Sequence, residues 1–326
     1  MELDFSLIVP VFNRPDEVKE LLESLTLQTD GNFEVVIVED GSTTPCKDIC
    51  DSFRDKLNIK YLVKPNSGRS QTRNYGMDRA SGNYFIIFDS DCTMPPQYIS
   101  TVRACLTAEF TDCFGGPDAA DSSFSAMQKA ISYSMTSFMT TGGIRGGMKN
   151  VNKFTPRSFN MGISRACYEK VGGFKDMIGE DIDMSFRIRE CGYSPRLLPD
   201  AYVCHKRRSS MGGFFRQVRT FGRGRILLNK MHPGALKPVH MLPAAFAVGH
   251  LLLLVLAAAF KSWWWLLPVA VYVLCIFMES LYKERNINVA FLSIATAYVQ
   301  LFGYGIGFID ECITHKASRT TQEKLY

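Results

Sequence analysis

No Cys-x-x-Cys pair occurs in the 326 residues, and the ten cysteines are scattered, with Cys46 and Cys50 the nearest neighbours. That spacing excludes a zinc knuckle and a disulfide-framed secreted domain, and it makes reduced thiols the expectation. The first apolar run is not followed by Gly-x-Gly-x-x-Gly, and no Gly-x-x-x-x-Gly-Lys-Ser/Thr occurs anywhere. A dinucleotide fold and a P-loop are thereby excluded. Nor does Met1-Glu2-Leu3-Asp4 open a basic segment followed by an apolar one, so no secretory signal is expected there. Acidic residues are missing between Asp200 and Glu279, whereas Lys206, Arg207, Arg208, Arg216, Arg219, Arg223, Arg225, Lys230 and Lys237 fill the first part of that interval. Charge of one sign suits anionic lipid headgroups or a diphosphate. Nucleic acid is the competing partner, and the apolar sequence that follows favours membrane lipid over it.

What is present divides the chain near residue 240, where mixed polar and apolar sequence gives way to long apolar runs. Leu242 to Phe260 and Trp263 to Tyr282 are long enough, at ~1.5 Å per residue, to approach or span a ~30 Å hydrocarbon core. Val289 to Ile309 is a less apolar third candidate, interrupted by Gln300 and several glycines. Three spans are expected, with two spans or re-entrant helices as alternatives, and Lys261 with Trp263 to Trp265 marks an interfacial turn. The basic run before the first span places the N-terminal part on the cytoplasmic side by the positive-inside rule, whereas three crossings would put the Lys316, Arg319 and Lys324 tail outside. Phe214, Phe215, Val218 and Phe221 interleave with arginines, so Met211 to Leu228 reads as an amphipathic segment in the interface, with Gly222 and Gly224 weakening a continuous helix. The domain expectation is a catalytic part over 1–210, a basic segment over 211–240, spans over 241–310 and a polar tail over 311–326.

The N-terminal part alternates apolar runs with helical patterns. Phe5 to Phe12, Phe33 to Val38, Ile59 to Val63 and Tyr84 to Phe88 read as buried strands. Helices are expected after Asn13-Arg14-Pro15, over Pro45 to Arg54, over Arg69 to Ala80 and over Ile182 to Glu190. That alternation implies βαβ units and a mainly parallel α/β sheet flanked by helices. Ser122 to Thr140 reads as one further helix with a packed apolar side, and Gly142 to Gly147 as a mobile loop.

Three of the strands end in polar segments, at Asn13, at Glu39-Asp40-Gly41-Ser42 and at Asp89-Ser90-Asp91. Open α/β sheets bind ligands beyond the carboxyl ends of their strands. Asp89 and Asp91, two apart on an extended segment, lie on one side and can converge on a hard cation.

The ordered segments Ile8-Val9-Pro10-Val11-Phe12-Asn13, Val38-Glu39-Asp40-Gly41-Ser42, Asn66-Ser67-Gly68-Arg69 with Arg73-Asn74-Tyr75-Gly76, and Asp89-Ser90-Asp91 resemble family 2 glycosyltransferases of the GT-A fold, membrane-anchored bacterial type. The likeness continues through Phe159-Asn160-Met161-Gly162, Val171-Gly172-Gly173-Phe174, Gly179-Glu180-Asp181 and Cys191-Gly192-Tyr193. The resemblance implies an inverting, metal-dependent transferase that uses a nucleotide-diphosphate sugar, a UDP-sugar by preference, and a saccharide or polyprenyl-linked acceptor, in polysaccharide synthesis at the inner membrane. It implies a base-binding wall of Pro10, Val11, Asn13 and Asp40, with Arg73, Asp89 and Ser90 towards ribose and diphosphate. Asp91 and His205 are then the ligands of Mg2+ or Mn2+, Glu180 lies on the acceptor side, and Asp181 is the base. Asp181 stands at the start of a helix, where backbone N–H groups favour negative charge. Gln217-Val218-Arg219-Thr220-Phe221 departs from the Gln-x-x-Arg-Trp of processive members, so addition of one residue per encounter is expected. The alternatives are sugar transfer to polyprenyl phosphate and a catalytically idle glycan-binding or scaffold protein on the same fold.

Overall fold

The computed structural model describes residues 2–119, 124–142 and 154–323. The chain divides into two compact units, one of Met1–Asp121 with Lys149–Lys206 and one of Ser122–Met148 with Arg207–Tyr326.

The first unit is built on β1 (Phe5–Val11), α1 (Pro15–Thr26), β2 (Phe33–Asp40), α2 (Lys47–Ser52), β3 (Asn58–Lys64), α3 (Arg69–Met77) and β4 (Tyr84–Phe88), in the alternation the apolar runs predict. There follow β5 (Cys92–Thr93), α4 (Tyr98–Ala108), β6 (Cys113–Gly115) and β7 (Asp118–Ala119). The order of the seven-stranded sheet is completed by β8 (Asn160–Ser164) and β9 (Arg196–Leu197) and runs β3-β2-β1-β4-β8-β6-β9. β1 pairs parallel with β2 and β4, β2 with β3 and β6 with β9, whereas β8 runs antiparallel between β4 and β6. The sheet is thus mainly parallel. Residues such as Leu7, Val9, Val35 and Ile86 face one buried cluster and Ile8, Val36, Phe85 and Ile87 the other, which is the two-sided burial expected of strands that read as unbroken apolar runs.

A second, three-stranded sheet orders β5, β10 (Val203–His205) and β7, with β10 in the middle. α7 (Arg165–Val171) and α8 (Glu180–Glu190) complete this unit, α8 starting two residues before the helix read from the sequence. Its N-cap is Gly179 at φ 83, a left-handed conformation that glycine adopts without a Cβ penalty.

The second unit is helical. The stretch expected as one helix over Ser122 to Thr140 is two, α5 (Ala126–Thr136) and α6 (Phe138–Thr141), because Ser137 is extended and its hydroxyl caps Met139 N. Both fall in the second unit. Of the expected glycine loop, Gly142 caps α6 at φ 60, and Gly143 to Gly147 lie outside the described residues.

α9 (Met211–Met231) is one helix of 21 residues, continuous through the glycines expected to weaken it. α10 (Leu242–Ala259), α11 (Leu267–Glu284) and α12 (Ile287–Glu323) follow, and among the described residues three helices are long and apolar enough to cross a membrane. α12 is likewise unbroken at Gln300 and its glycines, because those glycines face neighbouring helices. A Cβ on Gly222 of α9 would stand 2.1 Å from Tyr304 O, and one on Gly307 of α12 would stand 2.1 Å from Arg219 O. Close backbone approach, not flexibility, is what these positions supply. Half of the α12 span is buried in the unit, whereas those of α10 and α11 are almost bare.

The apolar side of α9 packs as well: Phe214 and Val218 are fully buried in a cluster with Ile131 and Met135. Arg219 pairs with Asp310 at 2.5 Å and Arg223 with Glu311 at 3.0 Å, so two cations of the basic run are neutralised within the protein.

Candidate active site

The carboxyl ends of β1 and β2 are tied into one platform. Asn13, at φ 54, accepts through Oδ1 from Thr43 N at 2.8 Å and Thr44 N at 3.0 Å, while its own N–H donates to Ser42 Oγ at 2.8 Å. The oxygen of the side chain read as base wall is therefore taken up by the loop. Val11 is buried in the core, and Pro10 is partly exposed. Glu39, 1% exposed, accepts from Ser42 Oγ, from Cys46 N at 3.0 Å and from Tyr61 Oη at 2.9 Å.

Asp40 organises the start of α3. Lys64 Nζ and Ser67 N, the latter at 2.9 Å, donate to its Oδ1, and Gly68 N donates to Oδ2 at 3.0 Å. Burial pushes its carboxyl up, but Lys64, Ser67 and Thr72 outweigh burial and hold it below the ordinary carboxylate value.

Arg73 joins segments far apart in sequence. Its Nη2 donates to Asp89 Oδ1 at 2.7 Å and its Nη1 to Glu180 Oε1 at 3.0 Å, with the guanidinium side chain 1% exposed. Arg69 Nη2 donates to the other oxygen of Glu180 at 2.8 Å. Desolvation raises Asp89, yet the charges of Arg73 and then His205 hold it below the ordinary carboxylate value. Arg73 Nε is buried without a partner. Ser90 turns the other way, donating to Glu17 Oε2 of α1 at 3.3 Å.

Asp91 and His205 meet although 114 positions part them, since β10 lies beside β5 and sets His205 opposite Cys92. His205 Nε2 lies 3.2 Å from Asp91 Oδ1, and its ring stacks on Phe159 at 4.8 Å between centroids. Asp91 Oδ1 is buried and, apart from this ion-pair distance, has no hydrogen-bond partner among the described residues. A buried carboxylate oxygen without a donor, beside an imidazole nitrogen, is a donor set that fits a divalent cation. Cys92 Sγ, fully buried, lies with these two in a group whose ligand atoms are all within 4.8 Å of one another. Burial first, then Asp89 and Asp91, pushes that thiol well above its ordinary value.

Asp181 opens α8 beside Glu180. Its Oδ1 accepts from Ile182 N at 2.9 Å, and Arg157 Nη1 donates to Oδ2 at 3.3 Å. Arg73, Asp89 and Glu180 are thus in direct contact, as are Asp91 and His205. Asp181 follows Glu180 in the chain and pairs with Arg157. Asp40 and Asn13 hold loops and touch none of these groups. Sequence reasoning missed Arg157, Lys64 and Cys92, and named Phe159 only as part of a motif. Cys92, following Asp89-Ser90-Asp91, also carried a signal in its position.

The family model described as Glycosyl transferase family 2 matches residues 6–172. AglE, a glycosyltransferase of Haloferax volcanii, is 25% identical over 258 residues, 76% of this chain and 81% of that protein. GlyA of Streptococcus pneumoniae is 38% identical over 98 residues, 30% of this chain and only 14% of that longer glycosyltransferase. Among solved structures, the mannosyltransferase PcManGT of Pyrobaculum calidifontis, in complex with GDP-Man and Mn2+, aligns with TM-score 0.66 and 18% identity over 95% of this chain and 88% of that one. S. aureus TarS 1-349 with UDP-GlcNAc aligns at TM-score 0.51 and 19% identity, over 94% and 90%. The fold is the GT-A arrangement, with three apolar helices towards the C-terminal end.

Proposed function

The chain belongs to glycosyl transferase family 2, and on that premise we propose that it moves a sugar from a nucleotide-diphosphate donor, a UDP-sugar, to a hydroxyl of a saccharide or lipid-linked saccharide, with inversion at the anomeric carbon. The observation that carries the reading is the Arg73 bridge from Asp89 to Glu180, beside the Asp91–His205 pair. It fastens a donor-side carboxylate to the residue next to the base.

Asp40 accepts from the N–H of the base, on a platform held by Asn13 and Glu39. Asp89 turns its free oxygen to the ribose. Asp91 and His205 hold Mg2+ or Mn2+, which when bound neutralises the charge that builds on the departing nucleoside diphosphate and lowers that barrier by typically several kcal/mol. Asp181 accepts the proton of the attacking hydroxyl, a contribution of ~10²–10⁴-fold. Attack from the face opposite the leaving group gives inversion in one displacement, without a glycosyl-enzyme. Arg157 keeps the base oriented until the acceptor arrives. The GDP-Man, Mn2+ and UDP-GlcNAc of the two structural neighbours support a nucleotide-sugar donor and a divalent ion here. The apolar helices support attachment to a membrane, and the cations of residues 206–237 favour the cytoplasmic face of an inner membrane.

The test is a panel of nucleotide sugars given to the full chain in detergent, with and without divalent cation. One donor is expected to be consumed, only with the cation present. Turnover that survives chelation overturns the metal role, and a donor that binds without ever being consumed favours the idle glycan-binding alternative.

A further inference from the structure

Cys92 sits where the established chemistry of such a centre has no use for sulfur. It pairs across the strands with His205, and directly opposite residues of an antiparallel pair place their side chains on one face. Asp91 precedes it in the chain. One ligand atom from each of Asp91, Cys92 and His205 falls within 4.8 Å of the other two. An ion held tetrahedrally at ~2.0–2.3 Å needs donors about 3.3–3.8 Å apart, so shifts of about 1 Å close the triad. The Asp91 Oδ1 that faces this group is buried with no donor of its own. Among the described residues the thiol's one hydrogen bond is a weak one, to Phe159 O at 3.6 Å, which a metal bond easily replaces.

Mg2+ takes oxygen and does not recruit thiolate, whereas zinc, cobalt and cadmium take sulfur and imidazole together. We propose that Asp91, Cys92 and His205 form a mixed oxygen, sulfur and nitrogen site that captures a thiophilic divalent cation of the zinc, cobalt and cadmium class, in competition with the hard ion of the transfer reaction. The thiol proton leaves to solvent as the metal–sulfur bond forms, and the fourth position stays open. The inference rests on the reading of Asp91 and His205 as ligands and adds Cys92 to them.

The probe is Co2+, titrated into chelator-stripped full-length protein in detergent. A near-ultraviolet sulfur-to-cobalt charge-transfer band is expected in the wild type and absent from Cys92→Ser. Mn2+ binding, followed by electron paramagnetic resonance, is expected to persist in that variant, which also reports that it folds. Cys92→Ala, with a small apolar side chain, replaces it if the hydroxyl is not tolerated. Zn2+ affinity should fall by at least the ~10–100-fold that loss of even an outer-shell partner costs. Cobalt bound without the band, or a band that survives in both variants, overturns the proposal while leaving the hard-ion site intact. Failure of both Co2+ and Mn2+ to bind the wild type overturns the ligand reading itself, and this inference with it.

Discussion

The two ends of the parallel sheet use buried carboxylates in opposite ways. At the starting edge, Glu34 accepts from Ser6 Oγ at 2.6 Å, from Ser81 N, from Ser81 Oγ at 3.0 Å and from Gly82 N at 3.4 Å. No cation is needed, and both oxygens are satisfied by neutral donors. At the finishing edge, Asp40 and Asp89 are matched to Lys64 and Arg73, and among the described residues neither Asp91 Oδ1, beside His205, nor Arg73 Nε has a hydrogen-bond partner. A complete set of hydrogen bonds makes a structural group, and an incomplete one leaves valence for a ligand. The same contrast separates Glu180, held through both oxygens by Arg69 and Arg73, from its neighbour Asp181, which has one cation at 3.3 Å.

The sharpest way to break the comparison is to remove charge from a group at each end and see which property falls. Asp181→Asn should lower turnover by ~10²–10⁴-fold while donor binding and the thermal midpoint stay near wild type. Single-turnover kinetics with a saturating donor measure the chemical step. A variant with wild-type turnover moves the base elsewhere and removes the distinction between Asp181 and Glu180.

Arg73→Met comes next. It strands Glu180, 3% exposed, and Asp89 without their shared partner. Breaking a buried pair from one side costs about 3–5 kcal/mol, on the order of 10 °C in the midpoint of a unit this size. Stability and turnover should fall together, which marks the residue as joining the two roles. A drop in turnover with an unchanged midpoint would mean that Arg73 acts on substrate alone.

The strands and their polar ends were legible because a doubly buried strand needs an unbroken apolar run, as in Phe85, Ile86 and Ile87, and the ordered motifs fixed the fold. Long-range pairing was not. Nothing local tells that Arg73 reaches Glu180, 107 positions on, or that His205 faces Cys92, because the strand pairing that joins them is decided by the whole sheet. Gly222 and Gly307 were misleading for a related reason. Low helix propensity is a local quantity, and it is outweighed where only a glycine lets α9 and α12 approach. That Asn13 Oδ1 also holds the loop of Thr43 and Thr44 could not be seen from its own strand. Asp40, Asp89, Asp91 and Asp181 were picked out by motif, and the structure adds which protein partners each has.

Glu34→Gln is the smallest of the three effects and probes the starting edge alone. The amide keeps one acceptor but turns an NH2 towards donors such as Ser81 N, so about 1–3 kcal/mol of stability should be lost with turnover unchanged in the folded fraction. The pH dependence gives a second reading. Burial pushes the Glu34 carboxyl up, but Ser6, Ser81 and Gly82 outweigh it, so its folded value lies below the ordinary 4.5. A lowered carboxylate binds its proton more readily in the unfolded chain. Its stabilisation is therefore complete above about pH 4.5 and is lost as pH falls through the folded value. Thermal midpoints of the full chain in detergent, taken from pH 7 down through this range, should fall less steeply for Glu34→Gln than for wild type. Parallel curves would show that Glu34 does not couple protonation to folding, and the two edges would then differ in partners without differing in what those partners do.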